Sequence, residues 1–178
     1  PEVGFYHEGD CDLAVFAELT ARSVDMDRVP HASSTPKNVP VYDMSTLGPM
    51  LAQPSKKRAL MAEWAYILRQ GAGVFVLKQA CPDHDMIDQA TENYEQIIAD
   101  ERAAGGTAAD HFAAAGSNDR IWNSLQKLAL NSPATFTGYF ANPAVDAACE
   151  AWLGPNYQMT AQVNLVHPGG QAQQAHRD

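Results

Sequence analysis

The chain has 178 residues, 46% apolar and 19% charged, a globular composition that excludes a disordered or fibrous protein and can bury a core. Its net charge is −9 and no basic run exceeds Lys56-Lys57-Arg58, which argues against nucleic-acid and anionic-membrane partners. Cys11, Cys81 and Cys149 are widely spaced and odd in number, no apolar run approaches the ~18 residues of a membrane span, and the first residues lack a signal-peptide pattern; a cytoplasmic protein with reduced thiols is expected.

Taken in order, Leu13, Phe16 and Leu19 suggest a short amphipathic helix after Asp10, closing near Val24. Val29 to Pro40 holds three prolines and a Ser/Thr cluster, so an extended arm is predicted there. Residues 1–54 thus form an N-terminal helix and Pro-rich arm, and residues 55–178 the domain proper. Ser55 is the expected N-cap of a helix that presents Leu60, Trp64, Ile67 and Leu68 and stops at Gly71. Val74-Phe75-Val76-Leu77 reads as a short buried strand, with Lys78 snorkelling at its end or meeting an anionic group.

Pro82-Asp83 opens a second core helix with Ile87, Ala90, Tyr94, Ile97 and Ile98 on one face. Its other face is acidic and reads as solvated. The stretch from Asp110 to Asp119 reads as a loop, and Ile121, Leu125 and Leu128 as a third core helix. Asn142-Pro143 is a capping residue followed by proline at the first helical position, opening a helix expected to bury Val145, Cys149 and Trp152 and to end at Gly154. Trp64, Trp122 and Trp152 are expected in cores, whereas His7, His31, His84, His111 and His167 read as surface residues.

The final stretch carries the chemistry. A strand from about Met159 to Val166 runs into Pro168-Gly169-Gly170, a turn, and then into a second strand ending His176-Arg177-Asp178. Side chains two apart on a strand share a face, so His176 and Asp178 project together and Arg177 does not. An imidazole and a carboxylate on a stiff backbone are two of the three protein ligands of a 2-His-1-carboxylate iron site. On the preceding strand, Gln162 and Asn164 share a face between apolar neighbours; they are either the polar wall of a pocket or the solvent side of an edge strand. By the same alternation Gln174 faces with His176, and Gln173 faces away.

This segment, Asn164 to Asp178 with its Pro-Gly turn, Gln173 and His-Arg-Asp, resembles the phytanoyl-CoA dioxygenase (PhyH-like) family of Fe(II)/2-oxoglutarate-dependent oxygenases. The helices flanking one apolar strand, Gly73 to Leu77, are similar to that family's N-terminal half, so the resemblance spans about residues 55–178. It implies an α+β fold: an N-terminal helical shell plus the first strands of a double-stranded β-helix (jelly roll), whose remaining strands are expected beyond Asp178. It implies Fe(II) held by His176 and Asp178, with 2-oxoglutarate as cosubstrate and Asn164, and less securely Gln162, beside the cosubstrate or substrate cavity.

The implied reaction hydroxylates a small organic substrate with O2 while 2-oxoglutarate is decarboxylated to succinate. A distal histidine and a 2-oxoglutarate-binding arginine would come from a C-terminal remainder or a second chain, and without them this segment is expected to be inactive. Two other readings remain: a non-catalytic jelly-roll binding domain, and a cupin-type metal isomerase.

Overall fold

The computed structural model describes residues 7–105 and 118–170. The chain forms two compact units, Pro1–Lys78 and Gln79–Asp178. The class is α+β: helices dominate, and each unit holds one two-stranded sheet among its described residues. Those residues form no double-stranded β-helix. None of their helices is long and apolar enough to cross a membrane. The division expected after residue 54 falls inside the first unit.

The first unit contains α1 (Leu13–Thr20), β1 (Val41–Asp43), α2 (Met44–Leu47), α3 (Pro54–Gln70) and β2 (Val76–Lys78). Helix α1 starts where Asp12 accepts from the Ala14 and Val15 amides at 2.7 and 3.0 Å. Its apolar residues Leu13, Phe16 and Leu19 are all exposed. Strands β1 and β2 pair in parallel, Val41 opposite Val76 and Asp43 opposite Lys78. Parallel strands need a long crossover, and α2 and α3 supply it. Helix α3 begins two residues earlier than the Ser55 cap predicts, with Gln53 as N-cap and Pro54 in the first turn. It ends at Gly71, where a Cβ would lie 2.9 Å from the Ile67 Cα, so close backbone approach requires glycine.

Two expectations for this unit are corrected. The proline-rich arm is folded: Val29 and Pro40 are fully buried, and the Ser33 amide donates to the Val41 carbonyl at 2.7 Å while the Val41 amide returns to the Ser34 carbonyl at 2.8 Å. The prolines leave room for only a single 3-10 turn, Pro36–Asn38, and do not prevent packing. The second strand is two residues later than predicted, and Val76 is 44% exposed, because a two-stranded sheet leaves its edges and one face to solvent.

The core of the unit is aromatic. Trp64 is fully buried; its ring stacks on Phe75 at 5.3 Å and meets the edge of Tyr42 at 5.8 Å. Leu60, Ile67, Val41 and Met44 complete the cluster. Glu63 lies on the same inward face of α3, and its carboxylate is met from two sides. The Tyr42 hydroxyl donates to Oε1 at 2.6 Å, and the His31 backbone amide donates to Oε1 at 3.2 Å. The His31 Nδ1 lies 2.6 Å from Oε2. His31 is therefore a buried-network residue and not a free surface histidine. Burial first, then the Glu63 hydrogen bond and charge, push the ionisation of Tyr42 far above the ordinary tyrosine range.

The second unit contains α4 (His84–Ala103), β3 (Asn118–Ile121), α5 (Ser124–Asn131), α6 (Pro133–Phe140), α7 (Pro143–Leu153) and β4 (Val163–Val166). Its core joins Ala90, Tyr94, Ile97 and Ile98 of α4 to Ile121 and Leu128, with Phe136, Phe140 and Val163 against them. These are the α4 positions that helical periodicity predicts, apart from Ile87, which is 36% exposed. Gly138 lets α6 approach α4; a Cβ there would meet the end of the Met86 side chain at 2.5 Å.

Ile121 belongs to β3 and not to the third helix, because Asn123 takes a left-handed φ of 54° and separates strand from helix. Trp122, adjoining that break, is 40% exposed. Asn142 caps α7 as predicted, accepting from Ala144 and Val145, and its amide donates to the Ala80 carbonyl at 2.8 Å. The face of α7 is the reverse of expectation. Ala144 and Ala147 are buried, while Val145 and Trp152 are 40% and 47% exposed. Small residues permit the close approach, and the bulky ones are left outward.

Replacing Glu63 by Ala leaves a buried hydroxyl and the His31 donors unmet, and is expected to cost about 3 kcal/mol or more. Glu63→Gln keeps an acceptor for Tyr42 and should cost only about 1 kcal/mol. Urea unfolding followed by tryptophan fluorescence separates the two; equal losses would mean that charge, not hydrogen-bond capacity, holds the arm. In the second unit the Tyr157 hydroxyl donates to Asp146 at 2.8 Å. Chiefly through this bond its pKa is pushed up to about 12. A raised pKa stabilises the fold below the ordinary tyrosine value of about 10, and the effect disappears as pH rises through the folded value. Asp146→Asn is expected to bring the tyrosinate absorbance change lost in Tyr157→Phe back toward that ordinary value.

Candidate functional site

Strands β3 and β4 pair antiparallel, with Asn118 opposite Val166, Asp119 opposite Leu165, Arg120 opposite Asn164 and Ile121 opposite Val163. Directly opposed residues share a face, so the pair has two different sides. One carries Ile121 and Val163 into the core and Asp119 beside them. The other carries Asn118, Arg120 and Asn164. The Ser124 hydroxyl donates to the Ala161 carbonyl at 2.6 Å and fixes the approach to β4.

On the polar face, Arg120 donates through Nε to Gln162 Oε1 at 3.1 Å, and its Nη2 also reaches that oxygen. Its guanidinium lies 4.2 Å from the centre of the Trp122 ring. Gln162 and Asn164 are both exposed. The structure thus brings Gln162 onto Arg120 and sets Asn164 across the strand pair from the same arginine. The Nε/Nη2 edge of the guanidinium is engaged by Gln162, which leaves the two exposed amides of Gln162 and Asn164 as the polar groups this face presents.

On the inward face, Asp119 is 3% exposed and is met from two directions. His167 Nε2 lies 2.7 Å from Oδ2, and Arg102 of α4 holds Oδ1. His167 is the residue after Val166, so strand alternation turns it to the side of Leu165 and Asp119. His167 keeps a side chain that is 39% exposed, and it also anchors the end of β4 to a buried carboxylate, a role that its surface reading does not include. Its signal lies in that alternation, but the partner is hidden in a stretch that reads as loop.

Beyond His167 the chain turns at Pro168-Gly169, with Gly169 at φ 86° and the Gly170 amide donating to the His167 carbonyl at 2.8 Å. His176 and Asp178, with Gln173 and Gln174, lie outside the described residues. Among the described residues no group of three His, Cys, Asp or Glu side chains is arranged to hold a metal ion. His31 and His167 are each engaged by a carboxylate. Lys78 is exposed at the end of β2, in the register opposite Asp43. No family model matches this chain, and no curated protein or solved structure matches it either.

Asp119→Ala is expected to cost about 2–3 kcal/mol, because it strips a buried pair of contacts from both neighbours. Arg102→Ala should cost under about 1 kcal/mol, since the arginine side chain is 53% exposed and its charge is screened. Amide exchange in Val163–Val166 should accelerate in Asp119→Ala more than exchange in α4. Uniform acceleration would show that Asp119 supports the whole unit and not the strand end.

Proposed function

We propose that this chain is part of an Fe(II)/2-oxoglutarate-dependent oxygenase, similar to the phytanoyl-CoA dioxygenase (PhyH-like) family, that hydroxylates a small organic substrate. The supporting observation is the polar face of β3–β4. Gln162 and Asn164, the two residues that the resemblance assigns to the cosubstrate or substrate cavity, flank one arginine on the strand that leads into the Pro168-Gly169-Gly170 turn. A dicarboxylate cosubstrate needs such a donor set.

His176 and Asp178 would hold the metal. One neutral nitrogen and one charged oxygen suit Fe(II) as part of a facial triad, and a second histidine would complete it. When bound, the iron supplies the activation of O2 that couples decarboxylation of 2-oxoglutarate to succinate with substrate hydroxylation. The contribution of this chain is positional. Gln162, held in place by Arg120, and Asn164 offer amide donors to a carboxylate, and the His167–Asp119–Arg102 contact holds the end of β4 from which the turn departs. A jelly-roll continuation of the β3–β4 pair belongs to the same proposal.

The test uses the full-length protein under anaerobic conditions. Fe(II) and 2-oxoglutarate together are expected to give a weak visible charge-transfer band that is lost in Asp178→Ala. In Asn164→Ala the band should persist with an affinity for 2-oxoglutarate about tenfold weaker, the loss of one hydrogen bond to a charged group. Metal binding with no response to 2-oxoglutarate would favour a cupin-type isomerase, and no metal binding at all a binding domain; either overturns the oxygenase reading.

A further inference from the structure

The first unit contains a cavity of about 940 Å³ that no pattern in the sequence announces. It lies between the end of α1 and the residues after it, the turn at Lys37–Val39, and the end of α3 with the turn toward β2. Four cationic side chains line it: Arg22, Arg28, Lys37 and Arg69. No carboxylate is among its described lining residues. The charge is locally concentrated. Residues 1–78 hold eight Lys and Arg against nine Asp and Glu, a net −1, whereas residues 79–178 hold four against twelve, a net −8. Half of the cations of the first unit therefore converge on one hollow.

Several details fix this wall. Arg28 lies 4.2 Å from the centre of the Tyr66 ring, which fixes its plane while leaving its N–H edges available. Asn38 accepts from the Val24 amide at 2.6 Å and donates to the Arg22 carbonyl at 2.8 Å, stapling the segment after α1 to the Lys37 turn. Lys37 and Asn38 hold left-handed φ angles of 52° and 66°, an uncommon backbone for such residues that the double contact of Asn38 helps to retain. Asp25, which accepts from the Asp27 amide at 3.0 Å, is not among the described lining residues.

The opposing effect is the helix ends. Helices α1 and α3 both present C-termini here, each worth about half a negative charge. The Gly71 amide donates to the Tyr66 and Ile67 carbonyls and the Gly73 amide again to Ile67, which meets part of that charge at α3. The three full positive charges of Arg22, Arg28 and Lys37 alone outweigh two half charges, so the hollow is electropositive. It also has an apolar side, formed by the Tyr66 ring and by Val74, 47% exposed.

We propose that this cavity is a binding site for a small organic polyanion, its phosphate or carboxylate groups held by Arg22, Arg28 and Lys37 and its apolar body set against Tyr66 and Val74. The volume lies within the range of small-molecule sites and far exceeds an inorganic anion. A polymeric polyanion is disfavoured, because a concave patch in a chain of net −9 offers no extended basic track. This site is independent of the oxygenase proposal and uses none of its residues.

Calorimetric titration of the full-length protein at pH 8 with phenyl phosphate, phthalate and inorganic phosphate tests it. At least one of the two aromatic dianions is expected to saturate at about millimolar concentration or below, and the tighter of them identifies the headgroup. Inorganic phosphate should bind about tenfold more weakly for want of the ring. Arg28→Glu and Lys37→Glu should each weaken the aromatic dianion about tenfold or more, with Lys56→Glu, an exposed charge reversal outside the cavity, changing it less than about twofold. All three side chains are exposed, and thermal melts of the variants confirm folding independently of ligand. No saturation by either aromatic dianion up to about 5 mM, or equal weakening by Lys56→Glu, overturns the proposal.

Discussion

A carboxylate cannot be buried without donors, and Glu63, on the core face of its helix, gathers them from two other parts of the chain. The Tyr42 hydroxyl, the His31 amide and the His31 ring all converge on it. Those contacts draw together the arm at His31, strand β1 at Tyr42 and helix α3 at Glu63. The aromatic cluster of Tyr42, Trp64 and Phe75 then has its geometry set, since Tyr42 is held by its hydroxyl as well as by its ring. One ion-sized demand for hydrogen bonds thereby specifies the path of about thirty residues, where apolar contact alone would tolerate several packings.

Asp119 poses the same demand in the second unit, and its satisfaction is local to the strand pair. Arg102 reaches it from α4 and His167 from the end of β4. The exposed arginine adds little energy, but the histidine contact is directional and sits one residue before the Pro168-Gly169 turn. The chain therefore leaves that turn from a fixed point. Whatever follows the turn inherits its starting point from this contact.

The helices are legible in the sequence because their signals repeat. Leu60, Trp64 and Ile67, and Ala90, Tyr94, Ile97 and Ile98, recur at helical spacing and are buried as that spacing requires. Strands β1 and β3 are not legible. Three or four residues give no periodicity, and Val41–Asp43 lies behind prolines that suggest a free arm. The face of α7 escapes sequence reasoning because size is a poor guide to burial there: Ala144 and Ala147 are the residues that allow contact. The polar alternation of Gln162 and Asn164 is visible; their companion Arg120 is not, because its strand reads as the approach to a helix.

Net charge is informative about partners only at the scale on which it is averaged. The value of −9 argues against an extended basic surface, yet it hides an arrangement in which Arg22, Arg28, Lys37 and Arg69 meet without an intervening carboxylate among the described lining residues. These residues are separated in sequence by up to 47 positions, so no window over the chain reveals them. Folding brings them together through elements chosen for other reasons: the Asn38 staple, the end of α3 at Gly71, and the burial of Val29 beside Arg28. The like charges of Arg22, Arg28 and Lys37 in one hollow repel one another, a cost that a bound polyanion would relieve, and screening by salt would relieve it less selectively.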